Sequence, residues 1–368
     1  MTSEEQIVNK EVISDKQGIA MIILFLSGST SIFVTGLDAK KDLWIAIILA
    51  IFMVLPMIIL FARLHYIFPG KDLFDIFEIC FGKLIGKIMM IIFTWYTFYW
   101  AADVLNNYGF FIRTVSLTKT PKIIYIIILG ILCAWGTKAG IEVLGKWAEL
   151  FLIIFIISIC AIVSMLIPNM NFHNIEPILY DGVRPVFKGA YSVFTQPFVQ
   201  TVAFTMTFTN LKRKKSSYKV YIVGLFLGAI LTFMISVTNI LVIGINEATN
   251  AYYPSYVTAT RINIRDFIQR LEVIIAIIFT LGGFIKISIL LLCTCKGMTK
   301  IFGCKDYGFI IIPITLLIVN LAYFQYDSVQ HYFQFNTEIW ADYFLPFQVI
   351  LPVIIWIAAE IKKKLGKV

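Results

Sequence analysis

Long apolar runs separated by short polar segments repeat along the whole chain. A membrane-spanning helix needs about 20 mostly apolar residues, because the hydrocarbon core of a bilayer is about 30 Å thick. Ten runs approach or exceed this length, and the pattern predicts an all-α integral membrane protein in which residues 1–368 form one polytopic domain. The predicted spans are Gln17–Leu37, Leu43–Ala62, Gly86–Ile112, Ile123–Thr137, Trp147–Ile167, Gly189–Leu211, Val220–Ile245, Leu271–Cys295, Tyr307–Tyr326 and Tyr343–Ala359.

Two connections between these runs are too structured to be simple hairpins. Phe74–Phe81 alternates apolar and acidic residues at helical spacing, which is typical of a helix lying along a membrane interface. Glu247–Arg270 is long and contains Tyr252, Tyr253 and Tyr256, so we expect short helices that cover one mouth of the bundle.

Composition supports the membrane assignment. Hydrophobic residues make up 59% of the chain and charged residues 14%, against about 45–50% and about 25% in soluble domains. These values exclude a soluble enzyme, a disordered protein and a nucleic-acid-binding domain. The net charge of +9 comes from residues between the apolar runs, where Lys and Arg determine orientation. The predicted loops on the side of the two termini carry twice as many Lys and Arg residues as the opposite loops, which predicts cytoplasmic N- and C-termini.

The chain offers no recognisable catalytic or metal-binding pattern. Cys293 and Cys295, with Cys304 nearby, lie far in sequence from every histidine, and cysteines in apolar helices are usually packing residues. No Ser/His/Asp arrangement and no phosphate-binding loop is apparent. We therefore predict a protein that is not an enzyme and that needs no cofactor and no metal.

Two predicted spans carry helix-breaking sequences at corresponding places. Span 1 contains a run of small hydroxylated residues around Gly28, and span 6 contains Pro197, which removes a backbone donor and disfavours helix in the residue before it. In transporters built from repeats, such interruptions surround the ligand site. Close helix packing at the small residues and a simple proline kink are the alternative interpretation. The candidate ligand-binding residues at the breaks are Ser27, Gly28, Ser29, Thr30, Thr195, Gln196 and Pro197.

We expect Gly28 to leave room for a close approach of the ligand, and free backbone N–H groups at the break to attract a carboxylate. Further residues would line the same site, namely Tyr96, Tyr99, Phe198 and Gln200. Because this lining is uncharged apart from Asp103, a small neutral or zwitterionic ligand is favoured over a dicarboxylate or a polyamine. A sugar or a nucleoside fits the Gln and Tyr side chains as well.

Three ionisable residues lie inside predicted spans, where charge is costly and usually functional. They are Asp103, Glu149 and Lys286. Lys286 and Glu149 both fall in the half of the bilayer nearer the termini, so a contact between them is geometrically possible. The lysine would then replace a coupling sodium ion or exchange protons during a cycle. A static ion pair that locks two helices together is the alternative.

These features resemble the spore-germination receptor B-subunit family, a branch of the amino acid–polyamine–organocation transporter superfamily. The resemblance covers the span layout of essentially the whole chain, and its motifs are concentrated in the first half. Span 6 departs from the expected pattern of glycine and glutamate. The motifs that carry the resemblance are Ile13–Gln17 (ISDKQ), Gly28, residues 39–45 (AKKDLWI), Pro69–Leu73 (PGKDL), Phe81–Gly86 (FGKLIG) and Gly140–Glu149 (GIEVLGKWAE).

The resemblance implies a five-plus-five inverted repeat with broken helices 1 and 6, the repeats covering about residues 17–167 and 187–361. It also implies a subunit that binds a small nutrient germinant, typically an amino acid, and acts with an A subunit and a lipoprotein C subunit in the inner membrane of a dormant spore. An active amino-acid permease is the main alternative, and a channel or a purely structural subunit is a third possibility.

Overall fold

The computed structural model describes residues 12–115, 117–209, 211, 216–262 and 271–366, and this part of the chain is almost entirely helical. The α-helices are α1 (Asp15–Thr30), α2 (Leu43–Ile67), α3 (Leu73–Val115), α4 (Lys122–Lys138), α5 (Ile141–Leu166), α6 (Val183–Thr195), α7 (Phe204–Thr207), α8 (Ser216–Asn250), α9 (Pro254–Thr260), α10 (Glu272–Phe302), α11 (Ile311–Phe324), α12 (Val329–Gln334), α13 (Trp340–Leu345) and α14 (Leu351–Lys364). Four 3₁₀ helices (Leu37–Asp42, Ile167–Asn169, Phe172–Ile175 and Phe198–Ala203) and two π-helical turns (Phe335–Ile339 and Pro346–Ile350) connect them.

Five helical stretches in the described residues are long and apolar enough to cross a membrane. They coincide with predicted spans 2, 5, 7, 8 and 10, and the other predicted spans hold helices that are shorter, broken or more polar. The protein is therefore a multi-pass, all-helical membrane protein. The five stretches are Leu37–Ile67, Ile141–Asn169, Ser216–Asn250, Glu272–Phe302 and Val329–Lys364.

The helix predicted over Phe74–Phe81 is present as the first part of α3. Gly82 has a φ of 79° and separates it from the rest of α3. The first part folds back on the second, since the Phe77 ring lies 5.0 Å from that of Phe93. Its apolar face is therefore buried against protein, and its position at a membrane interface stays a prediction.

Short helices also occur where the sequence predicts them after span 7. Gly244, with a φ of 71°, bends α8, which then continues to Asn250, and α9 follows at Pro254–Thr260. Residues 263–270 of the predicted segment lie outside the described residues.

Helix α1 occupies the centre of the bundle and packs against α5, α8 and α10. Every side chain from Ala20 to Leu26 is at most 2% exposed. Glycines on the neighbouring helices allow this close packing. A Cβ atom added to Gly224 of α8 would lie 2.7 Å from the Ile22 side chain. A central helix without an exposed face explains why the apolar residues of α1 show no alternation with polar ones.

Ion pairs connect neighbouring helices at one end of the bundle. Arg63 of α2 donates to Glu360 of α14 with an Nε–Oε1 distance of 2.6 Å. Lys300 of α10 binds Asp72 at 2.8 Å and also Asp75. Asp72 additionally accepts a hydrogen bond from the Asp75 backbone N–H, so it caps the start of α3. The cap of α3 is thus tied to the last turn of α10.

Candidate functional site

The break in the first span begins directly after α1. Ser and Thr side chains bond to nearby backbone carbonyls and so favour helix ends. Ser31 Oγ donates to the Gly28 carbonyl at 2.7 Å, and Thr30 Oγ1 donates to the Ser27 carbonyl at 3.3 Å. Helix resumes only at Leu37, as a 3₁₀ turn. The break therefore lies a few residues later than predicted, because Ser27–Thr30 still belong to α1.

The break in the sixth span lies where the proline predicts it. Helix α6 ends at Thr195, whose hydroxyl donates to the carbonyls of Tyr191 and Ser192 at 3.0 Å. Gln196 is extended, with a φ of −145°. A 3₁₀ helix begins at Phe198, immediately after Pro197. Helices α1 and α6 thus both present their carbonyl ends at an interruption.

A cavity of about 380 Å³ lies between the two breaks; we call it the helix-break cavity. Of the predicted ligand-binding residues, Ser29, Thr30, Gln196 and Pro197 line it. Most of its other lining residues are hydroxylated, aromatic or small. They include Asp38, Ser192, Tyr252, Tyr332, Phe333, Asn336 and Thr337.

Asp38 is the charged residue of the lining, and it is already paired. Lys188 of α6 binds Asp38 at 2.7 Å, and this hydrogen bond raises the pKa of the Lys188 ammonium above its usual value. The cavity is therefore close to neutral and offers mainly hydroxyl, amide and aromatic groups to a ligand.

Lys286 of α10 connects a residue near one helix break with a residue near the other. Its ammonium donates to Ser29 Oγ at 2.7 Å and to Gln200 Oε1 at 2.8 Å. It also lies 5.0 Å from the centroid of the Phe25 ring and 5.3 Å from that of Trp100, within range of cation–π attraction. Ser29 also lines the cavity, so its hydroxyl group lies between the Lys286 ammonium and the cavity.

The predicted pair between Lys286 and Glu149 is not formed. No ion pair within 4.0 Å in the described part of the chain includes Glu149. The reason is the direction of the side chains. Phe284 is the residue of α10 that faces α5, its ring lying 5.5 Å from Trp147 and 6.1 Å from Phe151.

Residues two positions apart on a helix point about 200° apart. Lys286 therefore points away from α5, and Glu149, midway between Trp147 and Phe151, points away from α10. Asp103, the third ionisable residue predicted inside a span, forms no ion pair within 4.0 Å in the described part of the chain either. Asp103 is 2% exposed and accepts a hydrogen bond of 2.7 Å from the Tyr326 hydroxyl.

Several predicted lining residues lie away from the helix-break cavity. Gly28 packs against the backbone of Gly282, so its missing side chain makes room for α10 and not for a ligand. Ser27 is fully buried beside it. Tyr96 is stacked on Phe347 at 5.0 Å, and Tyr99 packs against Phe344 at 5.8 Å, so both belong to an aromatic cluster with the last span.

The remaining predicted residues of span 6 lie below the cavity. Thr195 and Phe198 are buried, with at most 1% of their surface exposed. Gln200 is buried too and contributes the carbonyl oxygen that Lys286 binds, while its Nε2 has no hydrogen-bond partner among the described residues.

Sequence reasoning missed the wall that comes from α12 and the π-helical turn Phe335–Ile339. Asn336 and Thr337 of this turn line the cavity, and Asn336 Oδ1 is buried without a hydrogen-bond partner in the part of the chain that the structure describes. The available signal was the polar pair Tyr332 and Asn336 at helical spacing, just before the predicted last span. π-helical turns of this kind are frequent at functional sites.

Comparison with known proteins gives a consistent result. Residues 12–329 match the family model described as "Spore germination protein". The chain is 28% identical over 364 residues to spore germination protein KB of Bacillus subtilis, covering 97% of each chain. It is 23% identical over 331 residues to the putative spore germination protein YfkT of the same organism, covering 89% of this chain and 90% of the relative.

The fold is similar to a solved transporter structure. Mhp1, a nucleobase-cation-symport-1 family transporter in a closed conformation with bromovinylhydantoin bound, superposes with a TM-score of 0.66 at 12% identity. The superposition covers 93% of this chain and 78% of that one. This likeness supports a transporter-type fold.

Proposed function

Because this chain belongs to the spore germination protein family, we propose that it is the germinant-sensing B subunit of a germinant receptor and that it binds a small molecule in the helix-break cavity. The observation that carries the proposal is the position of Ser29. Its hydroxyl lines the cavity and accepts a hydrogen bond from Lys286, which also binds Gln200 next to the second break. A ligand in the cavity would thereby act on both broken spans at once.

We propose that the ligand is a small amino acid. The carbonyl ends of α1 and α6 face the cavity, and their partial negative charge favours an ammonium group. A carboxylate would be attracted by the Lys286 ammonium through Ser29. The amino acid would then bind in the opposite orientation to the one expected from the sequence, in which its carboxylate binds backbone N–H groups at the break. With Asp38 paired to Lys188, the described residues of the lining offer no free charge that would suit a dicarboxylate or a polyamine.

Binding to the purified protein in lipid nanodiscs tests the ligand class. Alanine, valine, glutamate, spermidine, glucose and inosine form a suitable panel, measured by calorimetry. We expect alanine or valine to bind in preference to the others. Selective binding of glutamate or spermidine would contradict the proposal, and selective binding of glucose or inosine would assign the cavity to hydroxylated ligands.

A cavity-filling variant tests the location. Ser192 lines the cavity and is half-buried, so Ser192→Trp should abolish binding while the protein still inserts and folds. Ser164→Trp is the matched control, because Ser164 is an exposed serine on α5 outside the cavity. Unchanged binding in Ser192→Trp would place the ligand elsewhere.

We further propose that the protein senses its ligand without transporting it, in association with A and C subunits in the inner spore membrane. The fold alone does not choose between sensing and transport, and an amino-acid permease is the second candidate, favoured by the likeness to a transporter. Uptake of labelled ligand into vesicles that contain this chain alone separates the two. Germination of spores that lack the gene tests the sensing role directly.

We also propose that the chain crosses the membrane ten times in two inverted repeats, with both termini cytoplasmic. The equivalent breaks after α1 and α6 support this arrangement. Cysteines introduced at Lys188 and Lys305, in a background without native cysteines, should react with an impermeant maleimide from opposite sides of the membrane. Labelling of both from one side would contradict it.

A further inference from the structure

A basic pocket lies where α3 ends and α4 begins, away from the helix-break cavity. It has a volume of about 490 Å³. Arg113, Lys119 and Lys122 bring three positive charges to its lining, against one carboxylate, that of Asp327. The excess of positive charge favours an anion.

Lys122 is the most unusual residue of this basic pocket, because its side chain is buried and only 7% of the residue is exposed. Its ammonium donates to Asn106 Oδ1 at 3.1 Å and to the Tyr323 carbonyl at 3.3 Å, and lies 4.1 Å from the centroid of the Phe110 ring. In the described residues no carboxylate lies within 4.0 Å of it. Burying an ammonium group without a counter-ion is costly, so an anion in the pocket would stabilise it.

An apolar groove continues from the basic pocket along the outside of the bundle. It runs between α4 and α11 and has a volume of about 420 Å³. Ile127, Ile131 and Leu316 line it, with exposed fractions of 42%, 62% and 63%. Tyr323 and Phe324 line both the groove and the pocket, so the two are continuous.

We propose that the basic pocket and the apolar groove together form a binding site for one anionic phospholipid. The phosphate lies among Arg113, Lys119 and Lys122, and an acyl chain lies along Ile127 and Leu316. The charge of the pocket selects a headgroup with net negative charge over a zwitterionic one. The groove distinguishes a lipid from free phosphate, which has no apolar part to place there.

Native mass spectrometry of the full chain in detergent tests the selectivity. Phosphatidylglycerol, phosphatidylcholine and inorganic phosphate are added separately at equal concentration. We expect one phosphatidylglycerol molecule to be retained at the highest occupancy. Equal retention of phosphatidylcholine would overturn the charge argument, and equal retention of inorganic phosphate would overturn the assignment to a lipid.

Charge variants locate the phosphate. Removing one basic residue near a lipid phosphate is expected to weaken binding about fivefold. Arg113→Gln alters an exposed side chain and so should not affect folding, and Lys122→Met should weaken binding similarly, with recovery in Lys122→Arg. Lys40→Gln, which removes an exposed lysine paired with Asp181, is the control. Unchanged binding in Arg113→Gln and Lys122→Met would overturn the proposal.

Groove variants locate the acyl chain. Ile127→Trp fills the groove and should weaken retention of phosphatidylglycerol without changing the fold. Ile154→Trp is the matched control, since Ile154 of α5 is 39% exposed, close to the 42% of Ile127. Equal effects of the two substitutions would show that the groove holds no specific lipid.

Discussion

Gly28 of α1 and Gly282 of α10 lie with their backbones in direct contact. A Cβ atom added to Gly28 would be 2.7 Å from the carbonyl carbon of Gly282 and 2.8 Å from its Cα atom. This is closer than two carbon atoms approach without bonding. The contact brings Ser29, one residue further along α1, within reach of Lys286.

Gly28→Ala is therefore expected to destabilise the protein by about 1–3 kcal/mol, because the backbone of α10 has to move. Thermal unfolding in detergent measures this effect. Gly228→Ala is the control, since its new Cβ would meet the flexible end of Leu26, at 2.8 Å from Cδ1. If both substitutions lower the melting temperature equally, the backbone contact has no special importance.

The link between Lys286 and Gln200 is expected to appear in a double-mutant cycle. Gln200→Leu leaves a buried ammonium with one acceptor fewer, and Lys286→Met leaves a buried amide oxygen unpaired. Because each change removes the same bond, the double variant should be more stable than the sum predicts, by about 0.5–3 kcal/mol.

The cycle of Lys286→Met with Glu149→Gln serves as its comparison. These side chains point away from each other, so their effects on the free energy of unfolding should add to within about 0.5 kcal/mol. Coupling between Lys286 and Glu149, with none between Lys286 and Gln200, would contradict the geometry described above.

Tyr326→Phe is expected to destabilise the protein by about 1–3 kcal/mol, because it removes a hydrogen bond to the buried carboxyl group of Asp103. Chemical denaturation in mild detergent gives the change in unfolding free energy. Tyr180→Phe, at a tyrosine with 80% exposure, provides the baseline for loss of a phenolic hydroxyl. Equal stability of the two variants would show that the Asp103 bond contributes nothing.

Lys300→Met should loosen the start of α3. Asp72 is buried and loses its cation, so the helix cap that it forms with Asp75 weakens. Hydrogen–deuterium exchange of the backbone from Leu73 to Phe81 should become about tenfold faster. Lys305→Met, at an exposed lysine beyond α10, should leave this exchange unchanged. Protection that persists in Lys300→Met would show that the ion pairs do not hold this segment.

The sequence predicts the two helix breaks because their causes are local. Pro197 lacks a donor, and Ser31 binds a carbonyl three residues before it. The partner of Lys286 depends on which face of α10 the lysine lies on. An apolar run does not reveal this face, because residues buried in protein and residues exposed to lipid are both apolar. The Lys286–Glu149 prediction used depth in the membrane alone, and so it was wrong.

The aromatic residues of α3 show the same limitation. Tyr96 and Tyr99 have the composition of a ligand pocket, yet Phe344 and Phe347 of the last span cover them. The cavity wall at Asn336 and Thr337 was missed because the polar composition of residues 329–342 hides the helix that precedes the last apolar run.

The helix-break cavity is assembled from segments that lie far apart in the sequence, with Ser29 on one side and Thr337 on the other. Chains are synthesised from the N-terminus, and early segments enter the membrane while later ones are still being translated. The first helix break therefore lacks its opposite wall until Thr337 has been synthesised. A small molecule present during synthesis meets a complete cavity only after that point, so it cannot guide the insertion of the spans that precede Thr337.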